Sequence, residues 1–326
     1  MKTKKYRFIW ISFLFLFLFV SCSFGHSPIN EDGILNDSVV LNDTDENFTS
    51  FIVASDMREY TGNNLDWFRG ACEAIATVND GIYMFSAGDI DPPGQVLATI
   101  KKYISADYRW FPIVGNHESE TPSDMEWIRN YYQVIESRVS IISEGPTGTK
   151  ETMYSFDKGP VHFVILNEYF DGTSDIGSNG DIVTATYNWL ESDLENTEKD
   201  IIVVFGHEPA FPLPDEESAR LRHEDDSLNT HEENRDAFWE LLNEYKVTAY
   251  ICGHTHNYSS NLRPGDTTWQ IDSGHSRGTQ DPGAKSTFLK FDINTNNELI
   301  LKTYRMDLDT GIYSLTETIN LTNPTI

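Results

Sequence analysis

Two imidazoles stand one residue apart in the stretch AYICGHTHNYSS, His254 and His256, behind an apolar run and a glycine. Similar punctuation recurs upstream. FIVASD ends in Asp56, YMFSAGD in Asp89, FPIVGNHE delivers Asn116 and His117, and IIVVFGHEP delivers His207. Together these side chains offer carboxylate, amide and imidazole donors without a thiolate. Such a donor set suits iron, manganese, zinc or cobalt better than copper(I) or an iron–sulfur cluster. Singly each motif is weak, since a Gly-Asp or Gly-His pair after a strand is usually turn chemistry and a lone histidine is usually a satisfied core or surface residue.

The elements that must position these groups are legible as short β-branched runs: FIVAS, IYMFS, FPIV, VHFVIL, DIIVVF and VTAYI. Segments of helical period separate most of them. TATYNWLESDLEN puts Tyr187, Leu190 and Leu194 on one face, and RDAFWELLNEY does the same with Phe238, Leu241, Leu242 and Tyr245. This alternation predicts an α/β domain with buried, largely parallel strands. In an open α/β sheet the carboxyl ends of the strands share one edge, where ligands bind. Five strands then converge their donors there, and the glycines before Asp89, Asn116, His207 and His254 suit sharp turns and close approach. From about Gln270 the pattern changes: FLKFDI, a polar NTNNE turn and LILKTYRM predict hairpin strands and a second sheet.

Two polar insertions, 171–181 and 212–234, interrupt the alternation. The second reads as a solvated charge run, although it starts five residues after His207 and so has the reach to hang over a site. Its histidines, His223 and His231, read as solvated, and His275 in DSGHSRG as a loop histidine near the same edge. Cys72 and Cys252 read as small buried side chains, not as a disulfide framework.

The 326 residues carry a formal net charge of -27, which repels long nucleic acids but not a small anion bound beside cations. At the N-terminus a basic MKTKKYR precedes the apolar run Phe8–Val20 and then SCS. The proportions are those of a secretory signal and resemble a bacterial lipoprotein signal, with Cys22 as the lipidated residue. The plainer alternatives are an ordinary signal peptide or an uncleaved anchor. The expected organisation is a signal peptide over 1–21, a flexible Asn/Asp/Ser/Gly tether over 22–48 and one folded domain over 49–326. Its expected location is exported and lipid-anchored to a bacterial membrane, periplasmic or at the cell surface.

The ordered set D…GD…GNHE…GH…GHTH resembles the calcineurin-like metallophosphoesterase superfamily, which includes purple acid phosphatases. The resemblance implies a four-layer α/β/β/α sandwich of two mixed sheets and a hydrolase of phosphate esters with a dinuclear metal centre. Asp56 and His256 would hold one ion, Asn116, His207 and His254 the other, with Asp89 bridging. His117 would protonate the leaving alkoxide or orient the phosphate. Two ions ~3.5–4 Å apart can bind a phosphoryl oxygen, lower the pKa of a bridging water and stabilise attacking and leaving oxygens.

One departure stands out. The superfamily usually begins D-x-H, whereas SDMREY puts Arg58 where that histidine belongs. Purple acid phosphatases compensate with a tyrosine three residues after the bridging aspartate, and here that residue is Pro92. A guanidinium does not ligate cations, so the first ion is left with Asp56, Asp89, His256 and water, unless Tyr60 or another residue reaches in. Arg58 has two readings, as a fork on substrate phosphate or as a structural ion-pair partner. Function has alternatives too: a phosphodiesterase or nucleotide hydrolase, or a catalytically degenerate metal-binding surface protein.

Overall fold

The computed structural model describes residues 48–57, 67–78 and 81–323. The expected signal, the tether up to residue 47, Arg58 and Tyr60 lie outside the described residues. Strand and helix alternate first as β1 (Ser50–Val53), α1 (Phe68–Val78), β2 (Tyr83–Ser86), α2 (Pro93–Tyr103) and β3 (Arg109–Pro112). Two helices follow, α3 (Asn116–Glu120) and α4 (Pro122–Glu136), then β4 (Ile141–Glu144), β5 (Tyr154–Lys158) and β6 (Val161–Ile165). The alternation resumes with α5 (Thr184–Asn196), β7 (Ile201–Phe205), α6 (Glu232–Glu244) and β8 (Ala249–Cys252). Beyond it lie β9 (Tyr258–Leu262), β10 (Trp269–Ser273), β11 (Thr287–Ile293), β12 (Leu299–Met306) and β13 (Tyr313–Asn320).

Two mixed sheets result. One runs β13-β12-β11-β1-β2-β3, the other β4-β5-β6-β7-β8-β10-β9. In the first sheet β1–β2–β3 form a parallel half that ends at the edge strand β3, with β11, β12 and β13 antiparallel on the other side; in the second the centre, β6–β7–β8–β10, is parallel and the flanks are antiparallel. The C-terminal hairpins do not build a sheet of their own, contrary to the sequence expectation. β11 instead pairs antiparallel with β1, placing Phe291 opposite Phe51. β2 covers one edge of β1, and the other edge would be left with unpaired N–H and C=O groups unless such a strand closed it.

The inner faces meet through phenylalanines. Phe85 of the first sheet stacks on Phe205 of the second at 4.5 Å between centroids, and Phe51 stacks on Phe291 at 4.7 Å. Each such buried ring contributes roughly 1.5–3 kcal/mol. Helices cover the outer faces. α1 buries Phe68, Ala71, Cys72 and Ile75. Leu190 and Leu194 of α5 join Phe238, Leu241 and Leu242 of α6 against Val204, Tyr250 and Cys252 of the second sheet. Tyr187 and Tyr245 pack at the margin of that cluster, and Trp239 is buried in it. Cys72 and Cys252 are buried and free. The fold is the expected α/β sandwich of two mixed sheets flanked by helices.

One polar group inside this packing makes stability pH-dependent. His162 of β6 is 1% exposed, with Nδ1 2.7 Å from Asp157 Oδ1 and Nε2 2.9 Å from Asp193 Oδ2. Carboxylates only accept, so both contacts are made fully by the imidazolium. Burial favours the neutral ring, but hydrogen bonds from Asp193 and Asp157 outweigh it and the pKa is raised above 6.5. A folded-state pKa above the unfolded value stabilises the fold below about 6.5, and that stability is lost as pH rises through the raised value. Hydrogen bonds to charged groups are worth about 1.5–3 kcal/mol. His162→Gln should therefore cost about that much at pH 6 and clearly less at pH 9, read from urea denaturation of parent and variant. A cost independent of pH would contradict the charged pairing.

Candidate metal centre

The chemistry-bearing residues come from both sheets. Asp56 follows β1, Asp89 follows β2, and Asn116 and His117 open α3 after β3, all from the first sheet. His207 follows β7, and His254 and His256 follow β8, in the second. The site is thus the seam where the carboxyl ends of two sheets meet, not the edge of one open sheet. Hydrogen bonds stitch the seam: His254 N–H donates to both oxygens of Asp56 (3.2 and 3.1 Å), and His207 Nδ1 donates to Ala87 C=O (2.7 Å).

The turns are tight enough to force unusual backbone. Asp56, Asp89, His254 and His256 have φ of 52, 53, 67 and 58°. Side-chain-bearing residues seldom occupy that left-handed region, and when held there they cluster at functional sites. The neighbouring glycines make the approach possible. A Cβ on Gly88 (φ +85°) would fall 2.2 Å from His207 Nδ1, and one on Gly253 would fall 2.3 Å from Asp56 Oδ2.

The donor atoms converge. Oxygens of Asp56 and Asp89 and a nitrogen of His207 lie within 4.8 Å of one another. His207 Nε2 is 3.4 Å from Asp89 Oδ1 and 3.3 Å from Asn116 Oδ1, and its ring centroid is 5.0 Å from that of His254. Outward hydrogen bonds fix which nitrogens keep lone pairs. His207 Nδ1 donates to Ala87, which leaves Nε2; His254 Nε2 donates to Asp226 C=O (2.6 Å), which leaves Nδ1. Such second partners orient metal-binding histidines. Burial lowers the pKa of both rings, His254 further through His207, so they stay neutral as ligands must.

The acids face the opposite problem. Burial, then the neighbouring Asp89 charge, raises the pKa of Asp56 and likewise of Glu118. A cation among them reverses that penalty. Donor types, fixed lone pairs and buried like charges therefore fit a transition-metal ion at Asp89, Asn116, His207 and His254. The other expected place is less open. His256 Nε2 lies 3.5 Å from Asp56 Oδ1 but also 3.2 Å from Arg277 Nη2.

A family model for the calcineurin-like phosphoesterases matches residues 49–258. The chain belongs to the calcineurin-like phosphoesterase family. It is 29% identical to an uncharacterised protein of Mycobacterium tuberculosis strain H37Rv over 168 residues, 47% of this chain and 28% of that protein. Against purple acid phosphatase 23 of Arabidopsis thaliana it is 26% identical over 153 residues, 45% of this chain and 28% of that one. The match thus spans under a third of those relatives. The structure of PhoD shares the fold, with a TM-score of 0.55 at 12% identity, covering 83% of this chain and 69% of that one.

Several residues of this calcineurin-like site escaped the sequence reading. His223 is not solvated: its ring centroid lies 4.2 Å from that of His254, and its own φ is 54°. The insertion bends back over the site because Arg220 bonds Asn257 Oδ1 and the His256 carbonyl, while Arg220 and Arg222 both pair with Asp281. His275 lies in the loop after β10, as expected, but is fully buried there and donates from Nε2 to Ala284 C=O. Two buried glutamates were given no role from the sequence, although Glu118 closes the GNHE stretch and Glu168 comes three residues after β6. Glu168 accepts the N–H groups of His207 and Glu208 and the hydroxyl of Tyr250. Glu118 accepts those of Asp89 (3.0 Å), Ile90 (2.8 Å) and Gly115 (2.8 Å).

Glu118 thus clamps the two loops that carry Asp89 and Asn116. In Glu118→Gln one acceptor oxygen becomes an NH₂ group that faces backbone donors. Because outer partners change metal affinity by ~10–100-fold, Mn²⁺ binding by Glu118→Gln should weaken within that range, as calorimetry will show. Parent-like affinity would mean that the clamp does not position the ligands.

Proposed function

We propose that this chain hydrolyses phosphate esters at a metal centre organised around Asp89. The observation that carries the reading is the convergence of Asp89 Oδ1 and Asn116 Oδ1 on His207 Nε2, with the His254 ring alongside and both imidazole tautomers fixed. An ion held there supplies Lewis acidity to a phosphoryl oxygen and lowers the pKa of a water. The remaining work falls to side chains. His117 stands at the mouth, its side chain 23% exposed and its Nε2 3.7 Å from Asp89 Oδ2, with its backbone N–H on Asp89 Oδ1 (3.3 Å). From there it can deliver a proton to a leaving alkoxide. His223 and Arg222, from the insertion, form a cationic or polar wall beside His254 and His256 suited to phosphate oxygens.

The dinuclear form implied by the motif set would add an ion among Asp56, Asp89 and His256, with Arg277 as the group beside it. The purple acid phosphatase relative favours phosphate esters as the substrate class, although the match covers only 28% of that protein. Monoester or diester is to be decided by assay.

Metal-loaded and EDTA-treated protein should be compared on p-nitrophenyl phosphate and bis(p-nitrophenyl) phosphate. Metal-dependent release from either supports hydrolysis, and the ratio assigns the ester class. Inactivity on both with Fe, Mn, Zn and Co would favour the metal-binding surface protein instead. His117→Ala should retain its bound metal and lower turnover by ~10²–10⁴, the usual worth of a general acid. Loss of metal in that variant would make His117 a ligand.

A further inference from the structure

We propose that the Arg277 guanidinium occupies the place of the first metal ion, so that the chain binds one ion tightly and keeps a fixed organic cation between Asp56 and His256. This inference rests on the metal-centre reading above.

Arg277 follows β10, a strand of the second sheet that the sequence reading did not count among the site's contributors. It is 8% exposed. Its Nε donates to the Asp56 carbonyl (2.7 Å), and its Nη2 lies 3.2 Å from His256 Nε2. Its segment is pinned on both sides. Ser276 N–H donates to Ser55 C=O (2.9 Å) and Ser276 Oγ to Thr287 C=O (2.6 Å), while Gly278 N–H donates to Ser286 Oγ (2.9 Å). A side chain so rooted is part of the site's frame and does not swing in from solvent.

The conflict with a first ion is one of lone pairs and charge. His256 Nδ1 lies 2.7 Å from Asp281 Oδ2 and also touches Arg222 Nη1, so it is held from two sides, and in the tautomer that donates to Asp281 the single lone pair lies on Nε2. That lone pair faces Arg277 and accepts its N–H. A metal ion needs the same lone pair, and it would have to sit against a cation that cannot be deprotonated. The second place has no such competitor: among the described residues no arginine hydrogen bond reaches a ring nitrogen of His207 or His254, whose bonded partners are Ala87, Asn116 and Asp226. Arg277 therefore does for Asp56 what an ion does elsewhere in this fold, opposing its buried charge, and it does so without being removable by a chelator.

Full-length protein stripped of metal should be titrated with Mn²⁺ and followed by calorimetry and electron paramagnetic resonance. The parent should bind one tight equivalent, any second at least ~100-fold weaker, the upper end of what neighbouring groups do to metal affinity. Its spectrum should be that of an isolated Mn²⁺. Arg277→Ala and Arg277→Met should keep the first equivalent, which also certifies their folding, and gain a tight second one with a spin-coupled spectrum. Two equivalents of similar affinity in the parent would overturn the inference while leaving the metal centre intact. Variants that keep the first equivalent and stay at one would overturn it too. No binding at all by the parent would instead remove the metal-centre reading.

Discussion

Two carboxylates, Asp56 and Asp89, lie buried side by side at the junction of two sheets, and much of the structure is arranged around that burial. Removing an ionised carboxylate from water costs several kcal/mol even after relaxation, and a second like charge adds to it. The fold opposes this with donors. His254 N–H reaches Asp56, His117 N–H reaches Asp89, and Arg277 bonds the Asp56 backbone. Backbone amides alone do not neutralise two charges, and the neutral imidazoles of His207 and His254 supply none. The deficit is one or more cations, which is why a metal centre and a buried arginine are complementary answers to one electrostatic demand.

The same demand explains the shape of the long insertion. Its composition is acidic, yet Arg220, Arg222 and His223 reach the site together with Asp226, whose carbonyl meets His254, while Glu224 and Asp225 stay exposed. Its root is held by Asp215, which accepts from Arg305 and from Tyr258 N–H. Asp281 gathers Arg220, Arg222 and His256 Nδ1 into one cluster on the far side of the ring that faces Asp56. The loop thus closes one wall of the site and leaves His117 at its opening.

The fold and the strand-end residues that gather at the seam were legible because both are local signals. A β-branched run ending in glycine and then a polar donor marks a strand end wherever the strand pairs, so Asp56, Asp89, Asn116, His207, His254 and His256 all emerged from the sequence. What a local pattern does not carry is sheet membership. The runs do not say that β1–β3 and β7–β8 belong to different sheets, nor that β11 would close the open edge of β1 instead of founding a sheet. Long-range contacts were equally hidden. His223 sits in a charge run with no apolar period and Arg277 follows an ordinary strand, while Glu118 and Glu168 stand near strand ends but act mostly through backbone amides distant in sequence, which their types and spacing do not reveal. Arg58, the one motif departure visible in the sequence, lies outside the described residues.

The central claim is that one ion sits between Asp89, Asn116, His207 and His254. Crystals grown with Mn²⁺ and measured at a wavelength where manganese scatters anomalously test it directly. The account predicts a dominant peak within ligand distance of Asn116 Oδ1, His207 Nε2, His254 Nδ1 and a carboxylate oxygen of Asp89. A dominant peak between His223, Asp226 and His254, whose donor atoms also approach within 4.8 Å, would contradict it, as would the absence of any peak at the seam of the two sheets.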